Sequence, residues 1–239
     1  IGGGYDGTGK NIRIKGNADV TAVSADGAAI GGGIGSGNSV TITDDAVVDA
    51  RSAFAAAIGN GDQVGRPNDP TTITISGNAT VHAETKEFGC AIGSGQHYSS
   101  DLTINIEKNA NVTAIASSDR PAIGNAGCHG DTTTTINITG GTVNAINSYG
   151  SDNPSYPNDG TRETGPAIGA KMEDYREGVR GGTCNVNINS STGDTVVNAY
   201  IYGKGSGPAI GSTTETDSYN PYKVEYQYAP ADSASYKAD

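Results

Sequence analysis

Apolar and polar residues alternate with period two in short runs along most of the chain. The first run is Ile12-Arg13-Ile14 and the second Val20-Thr21-Ala22. The same pair returns as Val40-Thr41-Ile42 with Val48-Asp49-Ala50, Ile73-Thr74-Ile75 with Val81-His82-Ala83, and Ile104-Asn105-Ile106 with Val112-Thr113-Ala114. Further on come Ile136-Asn137-Ile138 with Val143-Asn144-Ala145, and the looser Val186-Asn187-Ile188 with Val197-Asn198-Ala199. Alternation of this kind predicts strands that bury one face. Each pair is closed by the tripeptide Ala-Ile-Gly, at Ala29-Ile30-Gly31, Ala57-Ile58-Gly59, Ala91-Ile92-Gly93, Ala122-Ile123-Gly124, Ala167-Ile168-Gly169 and Ala209-Ile210-Gly211. An incomplete copy, Ile1-Gly2-Gly3-Gly4, opens the chain.

The unit is therefore two alternating strands and a short anchor strand, and it repeats without a gap between the first two blocks. A single unit has nothing to bury its apolar face against, so the units are expected to stack, with equivalent strands paired in parallel about 4.8 Å apart. This predicts an all-β fold: a parallel β-helix with three short strands per coil and about six to seven coils, right-handed as crossover connections generally are. The Gly-Asn or Gly-Gly after the first strand of the first, third and fifth blocks supplies a corner that accepts positive φ. Residues 1–213 form the repeat domain and 214–239 a C-terminal cap, in which Tyr222-Lys223-Val224-Glu225-Tyr226-Gln227-Tyr228 alternates once more without a following anchor. That strand is expected to cover the end of the apolar column, with an aromatic binding patch as the functional alternative.

The anchor Ala28-Ala29-Ile30-Gly31-Gly32-Gly33 and its copies resemble the Ala-Ile-Gly-Gly-Gly repeat regions of bacterial cell-surface proteins, and the coil as a whole is similar to right-handed β-helix proteins of the pectate-lyase-like type. The resemblance covers roughly residues 1 to 213. It implies the β-helix architecture and an extracellular or cell-surface location. Scaffolds of this type host polysaccharide lyases, glycoside hydrolases, glycan-binding modules and adhesin stalks, so it leaves the activity open.

Composition narrows the partners. A formal net charge of -11 argues against nucleic acid, whose binding is dominated by Lys and Arg. No run reaches the ~18 apolar residues of a membrane span, so no membrane insertion is expected. Three cysteines, Cys90, Cys128 and Cys184, sit in different coils, and an odd number does not complete a disulfide framework. Because the repeat is already under way at Ile1, the chain is expected to be part of a larger multidomain surface protein. No motif requires a cofactor; calcium is the ion that the surplus of carboxylates would accommodate.

If each anchor Ile points inward, its neighbours Ala29 and Gly31 and their equivalents are expected to face outward, leaving a smooth Ala/Gly strip along the coil. Two long insertions border it, from Asn147 to Gly165 before the fifth anchor and from Ala170 to Gly182 after it. They bring Tyr149, Tyr156, Arg162, Tyr175 and Arg176, and the loops of neighbouring coils add His97, Tyr98, His129 and Asp131. Aromatic rings beside guanidinium and carboxylate groups suit a carbohydrate. Glu163 on one wall with Glu173 or Asp174 on the other are the candidate catalytic carboxyls of a glycoside hydrolase, whose pair stands about 5.5 Å apart for retention or about 6.5 to 9.5 Å for inversion. A polysaccharide lyase would draw its base from Arg162, Arg176 or Arg180.

Other constellations carry less. Asp44, Asp45 and Asp49 could be read as a calcium site, but Asp44 and Asp45 fall at a corner where Gly-Asn stands in other coils, and turn chemistry accounts for them. His82 has no metal motif around it, Cys128 and His129 lack an orienting third group, and the Gly-rich anchors lack the Lys-Ser or Lys-Thr of a phosphate loop. The outward ladder Arg13, Thr41, Thr74, Asn105, Asn137 and Asn187 is read as hydrogen-bonding along the stack. The leading functional reading is a secreted or surface-attached, non-catalytic module that binds carbohydrate over the anchor strands. A glycoside hydrolase using the same groove is the alternative, and a structural adhesin stalk the third.

Overall fold

A computed structural model of the chain describes residues 1–4, 7, 9–33, 39–61, 70–96, 100–128, 132–148, 165–172, 182–190, 194–202, 208–214, 224–228 and 234–238. They form a parallel β-helix of the right-handed type, built from three sheets, with no helix among the described residues. The first sheet stacks β1 (Ile12–Ile14), β4 (Ser39–Ile42), β7 (Thr71–Ile75), β10 (Leu102–Ile106), β13 (Thr133–Ile138), β16 (Thr183–Ile188) and β19 (Val224–Tyr228). The second stacks β2 (Asp19–Ser24), β5 (Val47–Ser52), β8 (Thr80–Thr85), β11 (Asn111–Ala116), β14 (Gly141–Asn147), β17 (Thr195–Ile201) and β20 (Ala234–Ala238). The third is the anchor sheet: β3 (Ile30–Gly31), β6 (Ile58–Gly59), β9 (Ile92–Gly93), β12 (Ile123–Cys128), β15 (Ile168–Met172) and β18 (Ile210–Thr214).

Every pairing between these strands is parallel, and the register is that of the repeat. Ile12 pairs with Val40, Val20 with Val48, and Ile30 with Ile58. Inward positions therefore stack like on like into columns: Ile14 with Ile42, Ile42 with Ile75, Ala22 with Ala50. Ile58, Ile92, Ile123 and Ile168 have no exposed surface, and burial of each such side chain contributes about 1.5 to 3 kcal/mol. Ile fills the first and anchor sheets while Val and small Ala fill the second, and the buried cluster among the described residues holds no aromatic side chain.

The corner between the first and second strands is the most regular. Gly16, Asp44, Gly77 and Lys108 occupy equivalent places and all adopt positive φ, between 60° and 74°. The Asp44 carboxylate accepts from Gly16 N–H at 3.0 Å, Asn78 donates to Asp45, and Asn109 donates to Asn78. Asp49 is taken up by Arg51 in a two-pronged pair, so these three acids are accounted for by corner and strand contacts. On the outer face of the first sheet Asn137 donates to Asn105 at 2.9 Å and Asn187 to Asn137 at 2.8 Å, which is the expected ladder.

Both ends extend the stack. Gly2 bridges to Gly31 with φ +124°, like the other anchor glycines, so the opening Ile-Gly-Gly takes the place of a further anchor. At the other end β19 pairs in register with β16, as a capping strand would. A second strand, β20, pairs with β17, and the alternation at 222–228 gave no sign of it. Among the described residues no helix is long and apolar enough to cross a membrane.

Candidate functional site

The anchor strands differ from the expectation of an open strip. Ala29 is 2% exposed and Ala57, Ala91, Ala122 and Ala167 are 0% exposed; the anchor glycines Gly31, Gly59, Gly93, Gly124 and Gly169 are buried as well. The cause is a tight reversal. Ala28 N–H donates to Gly32 C=O at 3.2 Å, Ala56 to Asn60 at 3.2 Å and Cys90 to Ser94 at 2.9 Å, so three residues turn the chain and the Ile sits at the tip. The two flanks then meet over it: a Cβ on Gly27 would lie only 3.6 Å from Gly33 Cα. The Ala/Gly surface faces the molecule's own backbone, and no groove floor is formed by it.

That roof is made of small residues in the early coils, and each flank then carries one charged residue. Counting from each anchor, Gly27, Ala55 and Gly89 are followed at the same place by Arg120, while Gly33, Gly61, Gly95 and Ala126 are followed by Lys171. Lys171 (1% exposed), Arg120 (3%) and Asp119 (5%) form one buried cluster. Lys171 Nζ lies 2.5 Å from Asp119 Oδ2, Arg120 Nε lies 3.3 Å from Asp119 Oδ1, and Arg120 Nη1 donates to Ala126 C=O. Charged groups this deep are tolerated only when paired and hydrogen-bonded.

Uncharged polar groups line the same edge. Ser94 Oγ donates to Asn125 Oδ1 at 3.0 Å, Asn125 Nδ2 donates to Thr134 Oγ1, and Thr71 Oγ1 donates to Asn60 Oδ1. On the other flank the last residue of a second-sheet strand reaches back to the preceding coil: Ser52 to Gly27 C=O, Thr85 to Ala55 C=O and Asn147 to Arg120 C=O. Cys90 and Cys184 are buried thiols. Burial pushes the Cys90 thiol up to about 12, against the opposing pull of Ser94 and the Arg120 charge, so it is an inert thiol at neutral pH.

The sequence-predicted site residues His97, Tyr98, His129, Asp131, Tyr149, Tyr156, Arg162, Glu163, Glu173, Asp174, Tyr175 and Arg176 all lie outside the described residues. Their places in the chain are nonetheless informative. Segments 34–38, 62–69, 97–99, 129–131 and 173–181 each join an anchor strand to the next first strand, and 149–164 and 203–207 each join a second strand to an anchor. All of them attach at the two edges of the anchor sheet. The corner between first and second strands keeps almost the same length through the first five coils.

The sequence reading missed the Asp119, Arg120 and Lys171 cluster. Its signal was available: Arg120 stands where the first three coils have Gly or Ala, and Lys171 where the first four do. Among the described residues no group of three or more His, Cys, Asp or Glu side chains is placed to hold a metal ion. No protein-family model, no curated protein and no solved structure matches the chain.

Proposed function

We propose that the chain is a secreted or cell-surface β-helix module that binds carbohydrate through the segments bordering the anchor sheet. The observation that carries this reading is the confinement of nearly every departure from the repeat to those two edges, while the rest of the coil holds its length and register. A rigid stack spaces the attachment points at a strand's separation, a repeat that suits an extended polymer better than a compact ligand. The segments involved carry Tyr98, Tyr149, Tyr156 and Tyr175 for sugar faces, with Arg162 and Arg176 for acidic groups. The burial of the Ala/Gly strip shifts the proposed surface from the anchor strands to these bordering segments.

The test is retention of the purified chain on a broad glycan array and in native polysaccharide gels, with and without calcium, while released product is assayed. Retention that is lost on changing Tyr98, Tyr149 and Tyr175 to Ala, with the thermal melt unchanged, supports the proposal. Released sugar that disappears in Glu163→Gln would make the chain a glycoside hydrolase instead. Neither retention nor product, from a folded chain, would leave a structural stalk, a reading favoured by the unbroken core and the Asn ladders.

A further inference from the structure

The cluster of Asp119, Arg120 and Lys171 is arranged for a reaction within the protein itself. We propose that Lys171 and Asp119 condense to an intramolecular amide, a self-formed cross-link between the fourth and fifth coils. Asp119 lies just before the fourth anchor and Lys171 just after the fifth, and the fold brings Nζ to 2.5 Å from Oδ2 with both side chains removed from solvent. Such proximity replaces an encounter with a positioned pair, the situation in which intramolecular acyl transfer is fastest.

The chemistry balances without a co-reactant. A proton passes from the Lys171 ammonium to Asp119 Oδ2 across their hydrogen bond, and the amine so freed attacks Asp119 Cγ. The Nζ–Cγ bond forms and the Cγ–Oδ1 π pair moves onto Oδ1. Arg120 Nε lies 3.3 Å from Oδ1 without a hydrogen bond to it, so the guanidinium stabilises that oxyanion by its positive charge. The pair then returns, the Cγ–Oδ2 bond breaks, and Oδ2 departs as water with two of the three protons first held by Nζ. One ammonium and one carboxylate become one neutral amide and one water, with no change of oxidation state.

Two features favour the product. Burying an ammonium and a carboxylate together is costly, and the amide removes both charges from the interior. The surroundings also keep solvent away from the bond: Ala122, Ala126 and Ala170 are fully buried, and Lys171 has 1% of its surface exposed. The cross-link would lie where the stack is most interrupted, since segments 149–164 and 173–181 both belong to the connections around the fifth anchor.

Mass spectrometry of the soluble, folded chain under denaturing conditions is the test. The expected mass is one water below that of the sequence, and Lys171→Met, which has no amine, is expected at its full sequence mass. Trypsin should leave peptides 109–162 and 163–176 joined, with Lys171 uncut, because Arg120 precedes Pro121 and the linked Lys171 is no longer a substrate. A folded chain at full sequence mass, yielding cleavage after Lys171, would overturn the proposal and leave an ordinary buried ion pair. That measurement needs no variant, so a failure of Lys171→Met to fold does not affect it.

Discussion

The carbonyl oxygen of Gly124 lies 1.8 Å from where a Cβ on Gly93 would stand. The same relationship links Gly31 to Gly59, Gly59 to Gly93 and Gly124 to Gly169, each at 1.9 Å or less. Successive anchors are thus packed backbone on backbone, and the glycine is needed twice, for its φ near +142° and for the absence of a side chain.

Gly93→Ala is therefore expected to be among the most damaging single changes in the chain, costing more than about 4 kcal/mol, because the obstacle is backbone of the next coil and has nowhere to move. Gly16→Ala is the control for conformation alone. It has φ +69° with nothing within 4 Å of the added methyl, so it should cost about 1 kcal/mol. Urea unfolding followed by circular dichroism separates the two. Equal losses would show that sterics at the anchor are not what requires glycine there.

Lys108 offers the reverse change. It holds φ 60° at a corner where Gly16 and Gly77 stand in other coils, and it is exposed. Lys108→Gly should raise stability by about 1 kcal/mol through relief of the left-handed conformation. A lower unfolding midpoint in urea would contradict this.

The architecture was legible because a repeat carries its own register. The offset of 28 between the first two blocks is the observed pairing of Ile12 with Val40, and the outward ladder from Arg13 to Asn187 was read off the same arithmetic. The arithmetic misled at Ala29 and Gly31, where it was combined with strand alternation. Alternation presumes an extended chain, but Gly31 at φ +144° turns back on Ala28, and both neighbours of Ile30 go under cover. Segments such as 149–164 have no periodicity, so they inherit no register, and their sequence places only their attachment points. Arg120 and Lys171 were visible as breaks in two small-residue columns, yet their meeting with Asp119 depends on the closeness of the flanks, which the sequence does not state.

Cys90 should behave as an unreactive thiol in the folded chain. Its pKa is raised to about 12 by burial, so it stays protonated while an unfolded thiol, with an ordinary value near 9.0, ionises. The folded state then holds the extra proton, and stability is full below about pH 9 and falls as pH rises from there toward 12. Alkylation followed by mapping of the modified peptide should find Cys90 untouched at pH 8 in native buffer and modified in denaturant. Rapid native labelling would mean that the coil edge at Ser94 and Arg120 opens readily.

Asn147 holds two coils together from inside. Its Nδ2 donates to Arg120 C=O at 2.8 Å and to Gly165 C=O at 3.0 Å, where Ser52 and Thr85 serve single carbonyls in earlier coils. Asn147→Ala removes both donors and leaves two buried carbonyls without that partner, at a cost of about 1 to 3 kcal/mol. Asn147→Ser should recover part of the loss, since a hydroxyl at this place reaches one carbonyl in the second coil. Because the damage falls beside Arg120, hydrogen exchange should rise at the amides of 119–126 before it rises at β4 or β5. Uniform loosening along the whole stack would show instead that the coils unfold as one cooperative unit with no local weak point at this edge.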